Sequence, residues 1–215
     1  MRRRWPGAGA WMLGAALGAG SSSSSLAQGW QLVEPMPTAR SYHASGTVGN
    51  RWYVAGGSFF DGNGEEFPTE VDVYDPTSNH WAVLGQLAQP RENLEAVVDP
   101  LRARVLFTGG VLPGGPNGAS LPMPTCDLVE PDGVHSAPDL LIGRYGHAGS
   151  LVAGKFIVGG GEGPNGLLAE AEVWDGAAGA WTPAGEMRLG PREDFTMTTL
   201  ENGWQVVAVG GTMGT

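Results

Sequence analysis

The residues best suited by type to do chemistry are four arginines, Arg40, Arg91, Arg144 and Arg192. They stand 16, 18, 15 and 18 residues ahead of the glycine pairs Gly56-Gly57, Gly109-Gly110, Gly159-Gly160 and Gly210-Gly211. A guanidinium is always charged, and its planar fork of donors matches a carboxylate. Four of them at equivalent places suggest a partial ring around an acidic ligand, such as a carboxylated sugar or an acidic peptide. The competing reading is that each arginine braces its own repeat and recurs because the repeat recurs.

Carboxylates form the second set of candidates. Glu65 and Glu162 have the chemistry for acid–base work beside an arginine that grips a sugar acid. The run Asp61-Gly62-Asn63-Gly64-Glu65-Glu66 alternates oxygen-bearing side chains as a calcium loop does. An EF-hand needs glycine at its sixth position, where Glu66 stands, so a solvated acidic loop is expected. The four histidines, His43, His80, His135 and His147, contain no HxH or HxxxH pair. His43 and His147 both lie three residues past an arginine, which favours a structural role. Cys126 is the single cysteine, so the chain has no internal disulfide, and the residue is expected to pack as a small apolar group. GxSxG, HExxH and GxGxxG-to-helix patterns are absent. No catalytic residue, metal site or cofactor is assigned, and the balance leans away from an enzyme.

The elements that position these residues repeat. The glycine pairs are spaced 53, 50 and 51 residues apart. Each closes an apolar run with strand character, such as Trp52-Tyr53-Val54-Ala55 or Lys155-Phe156-Ile157-Val158. Downstream, Tyr74 and Trp81 are seven residues apart, as are Trp174 and Trp181; the second repeat has Val129 and His135 or Ser136 instead. Each repeat offers about four short strand-like runs, near 43–48, 51–56, 70–75 and 80–84 in the first. One such sheet cannot bury both faces, so neighbours must stack, and the large aromatics supply the burial.

A double glycine after the second strand, followed by an aromatic–tryptophan pair at a period near fifty, resembles the kelch repeat. The resemblance implies an all-β, kelch-type β-propeller of about 3.5–4 four-stranded blades, incomplete or a fragment of a larger ring. It places blades at about 38–86, 87–138 and 139–186, with a partial one at 187–215 and residues 30–34 as a closing outer strand. An open arc would expose strand edges that invite self-association. In an antiparallel meander the loops between strands two and three share a face with the four-to-one connections, where the arginines sit. That face carries the longest loops and is the expected binding face. The resemblance implies a binding module for a protein or glycan. Its enzymatic alternatives are a sugar-processing enzyme resembling the kelch-fold sialic-acid mutarotase and a copper radical oxidase of galactose-oxidase type.

Residues 1–27 read as a signal peptide: Arg2, Arg3 and Arg4, a short uncharged stretch over 8–20, then a serine run ending in Ser25-Leu26-Ala27. That stretch is too short to span a bilayer. A secreted or periplasmic protein is expected, with residues 28–215 as the repeat domain. Cleavage after Ala27 removes three positive charges and takes the net charge from −10 to −13. Without a basic surplus, nucleic acid is excluded as a partner. Glycine makes up 36 of the 215 residues while 41% are hydrophobic, which suits many short strands and tight turns rather than disorder.

Overall fold

Strand one of the first repeat, Ala44–Val48, alternates buried and exposed residues, the period-two signature of a half-buried strand. The same short alternating or fully apolar runs recur to the end of the chain. In the computed structural model, which describes residues 30–112, 114 and 120–213 together with Leu13–Gly14, they form three complete four-stranded antiparallel sheets. The expected leader lies outside the described residues, apart from Leu13–Gly14, which pair with Gln31–Leu32.

Each sheet is a meander, and the described residues contain no helix. The first blade runs Ala44–Val48, Arg51–Ala55, Glu70–Asp75 and His80–Gln86. The second runs Glu95–Asp99, Arg104–Thr108, Cys126–Glu130 and Gly133–Ala137. The third runs Ala148–Val152, Lys155–Gly159, Glu170–Trp174 and Thr182–Glu186. A two-stranded ribbon, Glu193–Thr199 with Val206–Thr212, supplies the first half of a fourth. The loops between strands two and three curl into small hairpins of their own, such as Phe59–Phe60 with Glu65–Glu66.

The blades stack face to face. Between the first and second lie Tyr53, Val71, Leu94, Val105 and Phe107; between the second and third lie Val97, Leu106, Phe156, Trp174 and Trp181. The aromatic pairs do pack together, with ring centroids 5.2 Å apart for Tyr74–Trp81 and 6.0 Å for Trp174–Trp181. Their covers differ. Trp181 is buried between two blades, whereas Trp81 is covered by Val33 and Met36 of the N-terminal segment. Trp81 Nε1 donates to the Glu34 carbonyl and Trp181 Nε1 to the Pro138 carbonyl, both at 2.9 Å. Glu34 and Pro138 each stand six residues before their arginine, so residues 33–36 lie against blade one as the end of blade two lies against blade three.

The glycine pairs are where one blade accepts the next. Gly57, Gly110 and Gly161 donate their backbone N–H to the carbonyls of Arg91, Arg144 and Arg192 of the following blade, at 2.8–2.9 Å. The preceding glycine must be small and left-handed: Gly109 has φ +57°, and a Cβ there would lie 2.4 Å from the Arg144 carbonyl oxygen. This corrects the third pair. Gly159 belongs to the strand, and the residues equivalent to Gly56-Gly57 are Gly160-Gly161, with φ of +63° and +85°. Three consecutive glycines hide that register in the sequence.

Because Trp181 fills the seam between two blades, Trp181→Ala is expected to destabilise the protein by about 3–5 kcal/mol. Urea denaturation checks this. A variant as stable as the wild type would contradict the interblade packing.

Candidate functional site

Isolated bridges Ser41–Ser58, Glu92–Val111 and Tyr145–Glu162 tie each four-to-one connection to the start of its own two-to-three loop. The two kinds of loop therefore share one face, as the meander requires. The arginines enter from that face and turn inward. Arg91 and Arg144 have no exposed surface, and Arg40 and Arg192 are nearly buried.

In each complete blade the guanidinium joins the end of strand two to a carboxylate on strand three. Arg40 Nη2 lies 2.5 Å from Asp72, Arg91 Nη2 lies 2.7 Å from Asp127, and Arg144 Nη2 lies 2.5 Å from Glu172. The same groups donate to the carbonyls of Gly56, Gly109 and Gly160. The carboxylates also accept from the chain entering the blade: Ala88 N–H on Asp127, and Leu141 and Ile142 N–H on Glu172. Arg192 donates to the Gly210 carbonyl at 3.0 Å and meets the Met213 sulfur at 3.7 Å. Burial pushes the Arg40 pKa down and that of Asp72 up, each partly offset by the attraction between them. The geometry is that of an internal brace. It differs from a guanidinium ring presented to an acidic ligand, because these charges are enclosed within the sheets.

What the connections do present is a pocket where the blades converge. Tyr42, Asn93, Gly146 and Asp194 each stand two residues past an arginine, and all four are left-handed, with φ between +53° and +59°. That conformation turns the backbone so that neighbouring blades join in a chain of hydrogen bonds. Asn93 N–H donates to the Tyr42 carbonyl at 2.9 Å, Gly146 N–H to Asn93 at 3.3 Å, and Asp194 N–H to Gly146 at 2.9 Å. A cavity of about 190 Å³ opens among these residues and the side chains that follow them, His43, Leu94, His147 and Phe195, with Glu95 at its wall. Left-handed non-glycine residues in series carry strain of the kind that clusters at functional sites.

The polar groups around this pocket are acidic and aromatic. Tyr42 is 62% exposed. Glu95 accepts from Gly149 N–H, and burial pushes its pKa up to about 7. Ser58 Oγ lies 2.8 Å from a Glu92 carboxylate oxygen and 3.0 Å from one of Glu65, and its single proton serves one of them at a time. Tyr145 donates a short hydrogen bond to Glu162, and burial together with that carboxylate pushes the Tyr145 pKa up. Partial burial and the charges of Asp194 and Glu162 raise the Glu193 pKa. Glu65 and Glu162 thus lie on the loop face as expected, each beside a hydroxyl rather than an arginine. The sequence reading did not single out Asn93, Glu95 or Asp194. Their only shared signal is the place two to four residues past each arginine.

The remaining candidates resolve locally. Asp61 caps its own loop, accepting from Asn63 N–H at 2.7 Å and Gly64 N–H at 3.0 Å, which holds its carboxyl below the usual range. His147 is buried against Thr108 at 2.9 Å, and burial pushes its pKa down to about 3, so it packs as a neutral ring. His43 bonds to the Arg40 carbonyl. Cys126 is buried in strand three of its blade, and burial pushes its thiol up to about 12, as suits a packing residue. On the opposite face Glu130, Asp132 and His135 gather at one turn, where His135 bonds to Asp132 at 3.0 Å. No helix among the described residues is long and apolar enough to cross a membrane.

Comparison with known proteins agrees with this architecture. Residues 39–87, the first blade, match the family model of the kelch motif. The chain is 39% identical over 64 residues to the F-box protein AFR of Arabidopsis thaliana, covering 30% of this chain and 17% of that protein. It is 33% identical over 88 residues to the protein tag-53 of Caenorhabditis elegans, covering 38% of this chain and 6% of that one. Both matches therefore span a small part of longer relatives. Among solved structures, that of YjhT superposes with a TM-score of 0.65 at 15% identity, over 81% of this chain and 60% of the other. Residues 39–87 thus carry a kelch motif, the blades that follow repeat its arginine–glycine architecture, and the chain has the fold of a kelch-type β-propeller.

Proposed function

We propose that this chain is an exported binding module that recognises a protein or glycan through the face bearing its long two-to-three and four-to-one loops. The carrying observation is the pocket where four repeats converge, lined by Tyr42, Asn93, Glu95 and Asp194. A concave site with a few convergent polar groups and a perturbed carboxyl is the preferred place for a ligand. The cleft on the opposite face, about 270 Å³, is walled largely by turn residues around the exposed Arg51–Asp75 pair and lacks such convergence.

The chemistry of the loop face narrows the ligand. Its arginines are internal, and Glu92, Glu162, Glu193 and Asp194 surround the pocket or its margin, so a carboxylated ligand would meet repulsion. Hydroxyl-rich neutral sugars suit it, because carboxylates and amides accept and donate to hydroxyls while an exposed tyrosine offers a face to stack on. A cationic peptide segment suits it for reasons of charge. Export follows from the arginine-led N-terminal segment.

One observation favours a second reading, a sugar-processing enzyme. Glu95, with its pKa near 7, holds the protonation balance a general acid–base needs at neutral pH. NMR of a candidate sugar mixed with the protein separates the two: anomer exchange faster than the spontaneous rate supports catalysis, and exchange at that rate leaves binding alone.

For the binding reading, Tyr42→Ala and Asp194→Asn are expected to weaken a ligand found on a glycan array or peptide panel by about tenfold or more. Glu130→Gln, on the far face, should leave the affinity unchanged. Equal affinities in all three variants would place the site elsewhere.

Glu95 also predicts a pH effect on stability. Its folded pKa is raised, so its favourable contribution is complete below about pH 4.5 and is lost as the pH climbs through about 7. Glu95→Gln removes that loss. Between pH 4.5 and 7.5 the variant should gain on the wild type by up to about 3 kcal/mol, less whatever solvent screening removes at this half-buried group. Urea denaturation at the two pH values measures the difference, and parallel wild-type and variant curves would contradict it. His147, buried neutral, acts oppositely in this window but equally in both proteins.

A further inference from the structure

The turn between strands three and four is built differently in blade two. In blades one and three it carries Asp75 and Asp175, whose carboxylates are engaged by their own turns. Asp75 accepts from Thr77 N–H at 2.8 Å, and Asp175 from Ala177 and Ala178 N–H at 2.9 and 2.6 Å. Blade two turns in two residues, because Glu130 pairs with Gly133 and leaves Pro131-Asp132 between the strands. Proline has no N–H to give. Asp132 instead faces the His135 ring, 3.0 Å from Nε2, and the half-buried Glu130 carboxylate has no hydrogen-bond donor among the described residues.

Strand register brings the three groups together. Leu128 pairs with His135 and Glu130 with Gly133, so Glu130 and His135 are diagonal neighbours on one face of the hairpin. Gly133, directly opposite Glu130, puts no side chain between them. A Cβ there would meet nothing closer than His135 Nε2, at 4.0 Å. Beside that open space a carboxylate oxygen of Glu130, one of Asp132 and a ring nitrogen of His135 lie within 4.8 Å of one another. Ligands about 2.1 Å from a tetrahedral ion stand about 3.4 Å apart, and the exposed Asp132 and His135 side chains close to that spacing by rotation.

We propose that Glu130, Asp132 and His135 form a surface site for one divalent transition-metal ion of the zinc type, held by two carboxylate oxygens and one imidazole nitrogen, with its remaining position open to solvent. The nitrogen sets the class of ion. Imidazole suits zinc, copper and nickel, whereas calcium and magnesium are held by shells of oxygen ligands. The ion takes the place of the proton shared by Asp132 and His135 and neutralises two carboxylates that the tight turn holds side by side. A net charge of −10 favours the approach of cations. The site stands apart from the loop-face pocket: Pro131, between two of the ligands, walls the cleft of about 270 Å³ on the opposite face.

Isothermal titration of zinc sulfate into the full-length protein, at neutral pH in a non-chelating buffer, tests the site. One ion per chain is expected, with the NMR signals of the His135 ring shifting as it binds. Glu130→Gln and Asp132→Asn should each weaken binding about tenfold or more, and His135→Ala about a hundredfold. Because the three side chains sit at a surface turn, urea denaturation without metal should find the variants as stable as the wild type. His80→Ala removes an exposed histidine that bonds to Glu34 in blade one and should leave the affinity unchanged. No saturable uptake below about 1 mM zinc, equal affinity in His135→Ala, an equal loss in His80→Ala, or calcium bound as tightly as zinc would overturn the proposal.

Discussion

The buried arginine–carboxylate pair is the interaction on which the rest of the structure depends. In one side chain it joins the end of strand two, strand three and, through the carboxylate, the chain entering the blade. Apolar burial already favours one sheet register, because a one-residue slip turns the buried side chains to the other face, and an enclosed charge penalises the slip far more heavily. Sliding strand three by one residue would point Glu172 to the other face and strand Arg144 without a partner, a cost of several kcal/mol. The pair is best understood as selecting one arrangement, since burial opposes ionisation on both sides of the Arg40–Asp72 contact.

The same arginine sets the distance between blades. Its side chain grips the first glycine carbonyl of its own blade, while its backbone carbonyl receives the second glycine N–H of the blade before. Two residues on, the left-handed turns at Tyr42, Asn93, Gly146 and Asp194 join successive blades through a second hydrogen bond. The pocket on the loop face is the space these turns enclose. Brace and pocket thus meet within a few residues: the positive charges are drawn inside the sheets, and the loop face that remains is acidic, aromatic and rich in hydrogen-bonding groups.

Much of the architecture was legible in the sequence because it rests on residue types that few others replace. Only glycine fits where a carbonyl lies 2.4 Å from a would-be Cβ, so the pairs recur and reveal the period. Trp81 and Trp181 were legible because their volume has no cheap substitute. The direction of the arginines was not. Their partners lie 32, 36 and 28 residues downstream, are Asp twice and Glu once, and so leave no fixed motif. The pocket was hidden for a related reason: Tyr42, Asn93, Gly146 and Asp194 share a backbone conformation and no side-chain chemistry. The raised pKa of Glu95 depends on burial against the neighbouring blade, which composition and spacing do not encode.

The central claim, that these arginines act as internal braces, is tested most directly by a double-mutant cycle on Arg144 and Glu172 followed by urea denaturation. Arg144→Met and Glu172→Leu should each cost about 3–5 kcal/mol, because each leaves its partner charged and buried. The double variant should cost far less than their sum, with a coupling of about 2 kcal/mol or more. Additive losses, or single variants as stable as the wild type, would contradict the account.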